Sequence, residues 1–177
     1  MTMIFRTRQP EATVWKRFRS GTDGFTLVQR DGVWEAHVAA NAERVVDLFY
    51  TLSEHLPPAI DVSVEDRRTD RVWTGEGIAL PDFRDAIARL KVPLATYGGV
   101  EISAYTVEDQ LTLTPQIELF AYSKTDRWAY FLQARGLEEF GALAEKPWRA
   151  PSWDRAPAPL LSESTVAMAE RLSLTSA

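Results

Sequence analysis

The 177-residue chain contains no cysteine. Disulfides, thiolate–zinc sites and cysteine nucleophiles are thereby excluded. Histidine is almost as scarce: His37 and His55 are the only two, and neither stands in H-E-x-x-H or another ligand spacing. No G-x-S-x-G elbow, G-x-x-x-x-G-K loop or D-x-D-x-D-G calcium loop occurs. No metal, no cofactor and no catalytic constellation is therefore expected. Basic residues are outnumbered, 20 against 25 acidic, for a net charge of −5, the reverse of a nucleic-acid binder's balance. Long apolar runs are missing too. Met3-Ile4-Phe5 is broken at once by Arg6, too short for a signal peptide, and nothing approaches the ~20 apolar residues of a membrane span. The expectation is a soluble, cytoplasmic chain with neither a membrane nor a nucleic-acid partner.

What is present is ordinary for a globular protein: 45% hydrophobic and 25% charged residues in 20.0 kDa. A chain of this size buries roughly 70% of its unfolded surface in one domain. The charge is uneven. Residues 1–20 carry Arg6, Arg8, Lys16, Arg17 and Arg19 against Glu11 alone, a basic arm on an acidic body. Such an arm pairs with the protein's own acidic surface or with an acidic partner.

Periodicity sets the elements. Residues 25–29 and 33–38 read as strands joined by Arg30-Asp31-Gly32, a tight hairpin signal. Trp34, Ala36 and Val38 alternate with Glu35 and His37. Asn41 caps a helix to about His55, with Val45, Leu48, Phe49, Leu52 and Leu56 on one stripe. Ile60, Val62 and Val64 mark a strand, Asp66 to Arg71 a charged turn, and residues 72–74 its partner. Pro81 opens a second helix on Phe83, Ala86, Ile87 and Leu90, which Pro93 closes. Four further strands are predicted at about 101–107, 110–114, 116–122 and 127–134, then a short helix over residues 137–144. The fold class is α+β: a single curved antiparallel sheet of about six to eight strands with two main helices on one face. Residues 1–146 form this domain. Residues 147–177 begin as an extended segment with four of the ten prolines and with Trp148 and Trp153. They end in a short helix, packed on the same domain or on a neighbouring chain.

Candidate sites follow from the surplus polar and aromatic residues. Gly75-Glu76-Gly77 starts like a dinucleotide loop, but the third glycine is absent and Glu76, Asp82 and Asp85 would repel phosphate, so it reads as a connecting loop. Tyr97-Gly98-Gly99 reads as a turn. His37 shares a strand face with Glu35, a geometry for acid–base chemistry, and His55 sits where a helix C-terminus favours a cation. Asp61, Glu65 and Asp66, with Glu101 and Glu118, line polar strand faces near Arg67, Arg68 and Arg71, and read as a self-neutralised surface. Trp15-Lys16-Arg17-Phe18-Arg19 interleaves aromatic and basic residues, and its apolar pair reads as an anchor.

Phe120 and Tyr122 fall on the strand parity opposite Leu119 and Ala121, and Phe131 opposite Trp128, Tyr130 and Leu132. If helices cover one sheet face, these aromatics on the other require cover. The candidates are the tail with its anchors Trp148 and Trp153, a second copy in a homodimer, or a foreign partner. The sequence therefore points to a small non-enzymatic interaction module, binding itself or another protein through an aromatic sheet face. The alternative is a small-molecule domain or enzyme with a pocket between sheet and helices, lined by Trp34, Trp73, Tyr105 and Trp128, with Glu35 and His37 as its polar groups.

Overall fold

Asp31 and Gly32 both have positive φ, 51° and 80°, and turn β1 (Gly24–Arg30) back into β2 (Val33–Ala39). This is the two-residue turn that the Asp-Gly pair signals. The computed structural model describes residues 23–143 and 159–177. The basic arm and residues 144–158, with Trp148 and Trp153, lie outside them.

After β2 come α1 (Ala42–Leu52) and a 3-10 turn at Ser53–His55. Then follow β3 (Ala59–Asp66), β4 (Arg71–Ala79), α2 (Leu80–Tyr97), β5 (Val100–Tyr105), β6 (Asp109–Leu113) and β7 (Leu119–Ser123). The chain continues through α3 (Arg127–Ala134) and β8 (Glu138–Glu139), and after the undescribed stretch through α4 (Pro159–Arg171) and β9 (Thr175–Ser176). The nine strands form one open sheet in the order β8-β1-β2-β7-β6-β5-β3-β4-β9, antiparallel except for the short β1–β8 pair.

The fold is mixed α+β with four helices among the described residues. Helices α1 and α2 pack together, α4 packs on α2, and α3 closes against the end of α1. The stripes of α1 and α2 are fully buried, and Phe49 meets Phe83 edge-on at 6.1 Å. Ala36, Val38, Ile60, Val62, Val64, Ile102 and Leu119, each at most 2% exposed, meet them from the sheet. Each large apolar side chain buried this way contributes about 2 kcal/mol.

Several expectations are corrected. Residues 127–134 are the helix α3, not a strand. Trp128, Ala129 and Leu132 are buried at helical spacing, and that burial outweighs the strand preference of the aromatics. Residues 137–143 hold the two-residue β8 rather than a helix. Leu137 is their only buried side chain, and Phe140 N–H donates to Phe25 O. Helix α2 does not end at Pro93. It runs on to Tyr97 because Leu90, Pro93 and Leu94 continue the buried stripe, offsetting the one backbone bond a proline cannot make.

The segment 74–79 is the second half of β4, not a loop. Register shifts between Ile60 and Val62, and Gly77, at φ 63°, donates its N–H to Asp61 Oδ1. The two glycines thus serve a bulge. Gly98 and Gly99 make the expected turn from α2 into β5, both with positive φ. The Arg68 guanidinium caps the end of α2 there, donating to Tyr97 O at 2.7 Å and to Gly98 O. A Cβ on Gly99 would lie 2.3 Å from that guanidinium.

Candidate functional site

Strand alternation puts a second set of side chains on the sheet face away from the helices. On β2 these are Glu35 and His37, opposite buried Ala36 and Val38. On β7 they are Phe120 and Tyr122, opposite Leu119 and Ala121. Strand register then aligns them in rows. Thr26, His37 and Phe120 continue into Thr112, Ser103 and Ser63, and Thr74 extends the line. Beside it runs a second row, Glu35, Tyr122, Gln110, Tyr105 and Asp61. Glu65 and Glu101 form a cross-strand pair on the other flank.

The first row is aromatic at one end and hydroxylic at the other. The His37 ring stacks on Phe120, centroids 4.2 Å apart and planes 6° from parallel, and Phe120 stacks on Tyr122 at 6.3 Å. Thr112 then meets Ser103 Oγ and Gln110 Nε2, each at 2.9 Å. Small hydroxyls leave the middle of the face low, between taller walls of Tyr122, Tyr105 and the carboxylates.

The field across this face is negative. Glu35, Asp61, Glu65, Glu101 and Glu118 all belong to it. Arg67 answers two of them, at 2.7 Å from Glu65 and 4.0 Å from Glu101, and His37 Nε2 lies 3.2 Å from Glu118 Oε1. Burial raises the pKa of the Tyr122 phenol above its ordinary value, and the charge of Glu35, a hydrogen bond to Glu35 and the charge of Glu101 raise it further. The phenol therefore stays a hydrogen-bond donor at neutral pH. Carboxylates and hydroxyls in this arrangement accept hydrogen bonds and attract cations. Among the described residues no group of three or more histidines and carboxylates is arranged to hold a metal ion.

The sequence-predicted residues are divided by the sheet. Phe120 and Tyr122 share the open face, as their parity requires. Phe131 does not join them. It lies on α3, on the helix side, stacked on His55 with centroids 3.7 Å apart. Arg127 and Arg135 crowd the same histidine, Arg127 donating to His55 O at 2.9 Å and Arg135 Nη2 standing 3.4 Å from its Nε2.

The proposed pocket residues do not converge. Glu35, His37 and Tyr105 belong to the open face, whereas Trp73 and Trp128 are buried under the helices and Trp34 shares the parity of Ala36 and Val38. The partner of His37 is Glu118 rather than Glu35, which holds Tyr122 instead. Asp66 is on the buried parity, 1% exposed, and accepts from Arg68 N–H at 2.9 Å. Ser63, Ser103, Gln110 and Thr112 were missed as site residues. Their signal was the parity they share with Phe120, which becomes a face only once register is known.

No helix among the described residues is long and apolar enough to cross a membrane. Compared with known proteins, the chain matches no family model, no curated protein and no solved structure.

Proposed function

We propose that this protein is a non-enzymatic interaction module whose open sheet face binds an extended, basic segment of a partner protein. The observation that supports this is the side-chain arrangement of that face. A low lane of Thr112, Ser103 and Ser63 runs across the strands between aromatic and carboxylate walls. Five acidic side chains belong to the face, and among the described residues Arg67 reaches two of them, Glu65 and Glu101, while His37 meets Glu118. An extended chain lying across the lane would find hydroxyl acceptors below and carboxylates beside it, and its arginines would make charge-assisted bonds. The small-ligand reading has no such support, because its residues lie on both sides of the sheet.

The test is a titration of the full chain with arrayed extended peptides that are basic, neutral or acidic. The expected result is selective binding of basic peptides, weakened by salt and lost in the double variant Glu35→Lys/Glu101→Lys. Equal binding of all three classes, or binding that survives the double variant, would overturn the reading.

A further inference from the structure

Helices α2 and α4 pack together but do not close completely. Ala86, Arg89 and Leu90 follow one another at helical spacing on α2, and Ser164, Ala167, Met168 and Arg171 do so on α4, so each set forms one side of its helix. Between the two sides lies a hollow of about 270 Å³ that is partly open to solvent. We propose that this hollow binds a small amphipathic monocarboxylate, with the apolar body between the helices and the carboxylate on Arg89 and Arg171. The site lies on the helix side of the sheet and does not depend on the interaction reading of the open face.

Side-chain size makes the hollow. Ala86, Ser164 and Ala167 are short where the two helices face each other, and a close-packed contact would carry larger groups there. Ala86, Leu90 and Met168 are each at most 3% exposed and form its inner end, while Ala167 is exposed at the mouth. At about 30 Å³ for each water-sized group, the space holds on the order of nine non-hydrogen atoms. Apart from the arginines, the only polar side chain lining it is Ser164, whose hydroxyl already donates to Leu160 O. A sugar or a dicarboxylate would carry polar atoms into a space with no partners for them. A hydrocarbon chain or a phenyl ring meets methyl, isobutyl and thioether groups.

Charge selects the other end of the ligand. Asp85 Oδ2 lies 2.5 Å from Arg171 Nη2 and 3.3 Å from Arg89 Nε, which holds both guanidiniums at the mouth instead of folded into the hollow. Among the described residues neither arginine pairs with a second carboxylate. Two cations thus share one anion, and a net positive charge stands beside an apolar space. Both arginine side chains are well exposed, so their remaining N–H groups are open to a ligand carboxylate, which a guanidinium binds through paired, charge-assisted bonds.

Met168 reports on the site, because it is the only methionine among the described residues. The test labels the methionine methyls of the full chain with ¹³C and assigns the Met168 signal with Met168→Leu. Octanoate, phenylpropanoate, octanol and octylamine are then titrated separately. The expected result is a saturable shift of the Met168 signal with at least one carboxylate, the aliphatic and aromatic acids showing which body fits. Octanol and octylamine should bind at least about 10-fold more weakly, the loss expected when a charged hydrogen-bond partner is missing. No saturable shift with either acid, or binding of octanol or octylamine as tight as that of the acids, would overturn the inference.

Two variants locate the ligand. Ala167→Leu fills the mouth from an exposed helical position, and Arg89→Gln/Arg171→Gln removes the cations from the surface, so both should still unfold cooperatively. Each should weaken carboxylate binding at least about 10-fold. Binding that survives either variant would place the acid elsewhere on the protein and overturn the assignment.

Discussion

Glu65 and Glu101 stand directly opposite each other across β3 and β5, and the guanidinium of Arg67 reaches both. Like charges placed opposite each other in a sheet destabilise it, so Arg67 offsets a repulsion built into the strand pairing. Replacing Arg67 by Ala should lower stability by about 0.5 kcal/mol, a modest figure because the group is well solvated. The loss should shrink as salt is raised and should be recovered by adding Glu101→Gln, both read from urea midpoints. A loss unchanged by salt or by the second substitution would mean that Arg67 acts through packing instead.

Neighbouring residues on β7 test which face carries the core. Leu119 is fully buried beneath the helices, whereas Phe120 is half-buried on the open face. Leu119→Ala should cost about 3 kcal/mol, as removal of a core side chain does. Phe120→Ala should cost about 1 kcal/mol, mainly the lost stacking on His37 and Tyr122. Equal costs in denaturant unfolding would show that the open face is as deeply packed as the other.

Much of this arrangement was legible in the sequence, for reasons that also explain the failures. Val45, Leu48, Phe49 and Leu52 repeat at helical spacing, and Ile60, Val62 and Val64 at strand spacing. Their burial is what each period exists to achieve. The Asp31-Gly32 turn was legible because few residues accept two successive positive φ angles. Residues 127–134 were not, because Trp128, Tyr130 and Phe131 favour strands locally and only the space beside α1 makes them helical. Nor was the end of α2 legible at Pro93, where buried neighbours carry the helix onward. The candidate site was half visible. Parity separated Phe120 and Tyr122 from the core, but no local pattern reveals that β7 lies between β2 and β6. That order brings His37 to Phe120 and Thr112 to Ser103.

His55 makes stability depend on mild acid. Burial lowers its pKa below the ordinary 6.5, and the charges of Arg135, Arg127 and Arg84 add to the effect while Glu54 opposes it. The folded protein thus holds this proton less firmly than the unfolded chain does. Its contribution is fully present above about pH 6.5 and is lost as pH falls from there through the lower folded value. His55→Gln should flatten this part of the stability profile, and Glu54→Gln should steepen it by removing the one charge that favours protonation. Thermal melts across pH 4.5 to 7.5 measure both. A His55→Gln profile parallel to the parent's would assign the dependence to other groups.

The pair Arg127–Asp109 predicts an asymmetry. Arg127 Nη1 lies 2.9 Å from Asp109 Oδ2, and the side chains are 35% and 4% exposed respectively. The aspartate is thus the deeply buried partner, with its Oδ1 accepting no hydrogen bond. Arg127 has other support: it donates to His55 O and lies over the rings of Trp128 and Phe131. Removing the arginine strands a buried carboxylate, which costs about 3 kcal/mol when a buried pair is broken. Removing the aspartate leaves a guanidinium that still touches water, at about 1 kcal/mol. Arg127→Ala should therefore destabilise clearly more than Asp109→Ala, and Arg127→Ala/Asp109→Asn should recover part of the difference. Urea unfolding of the three variants at neutral pH decides the matter, and a larger loss for Asp109→Ala would reverse the roles assigned to the two partners.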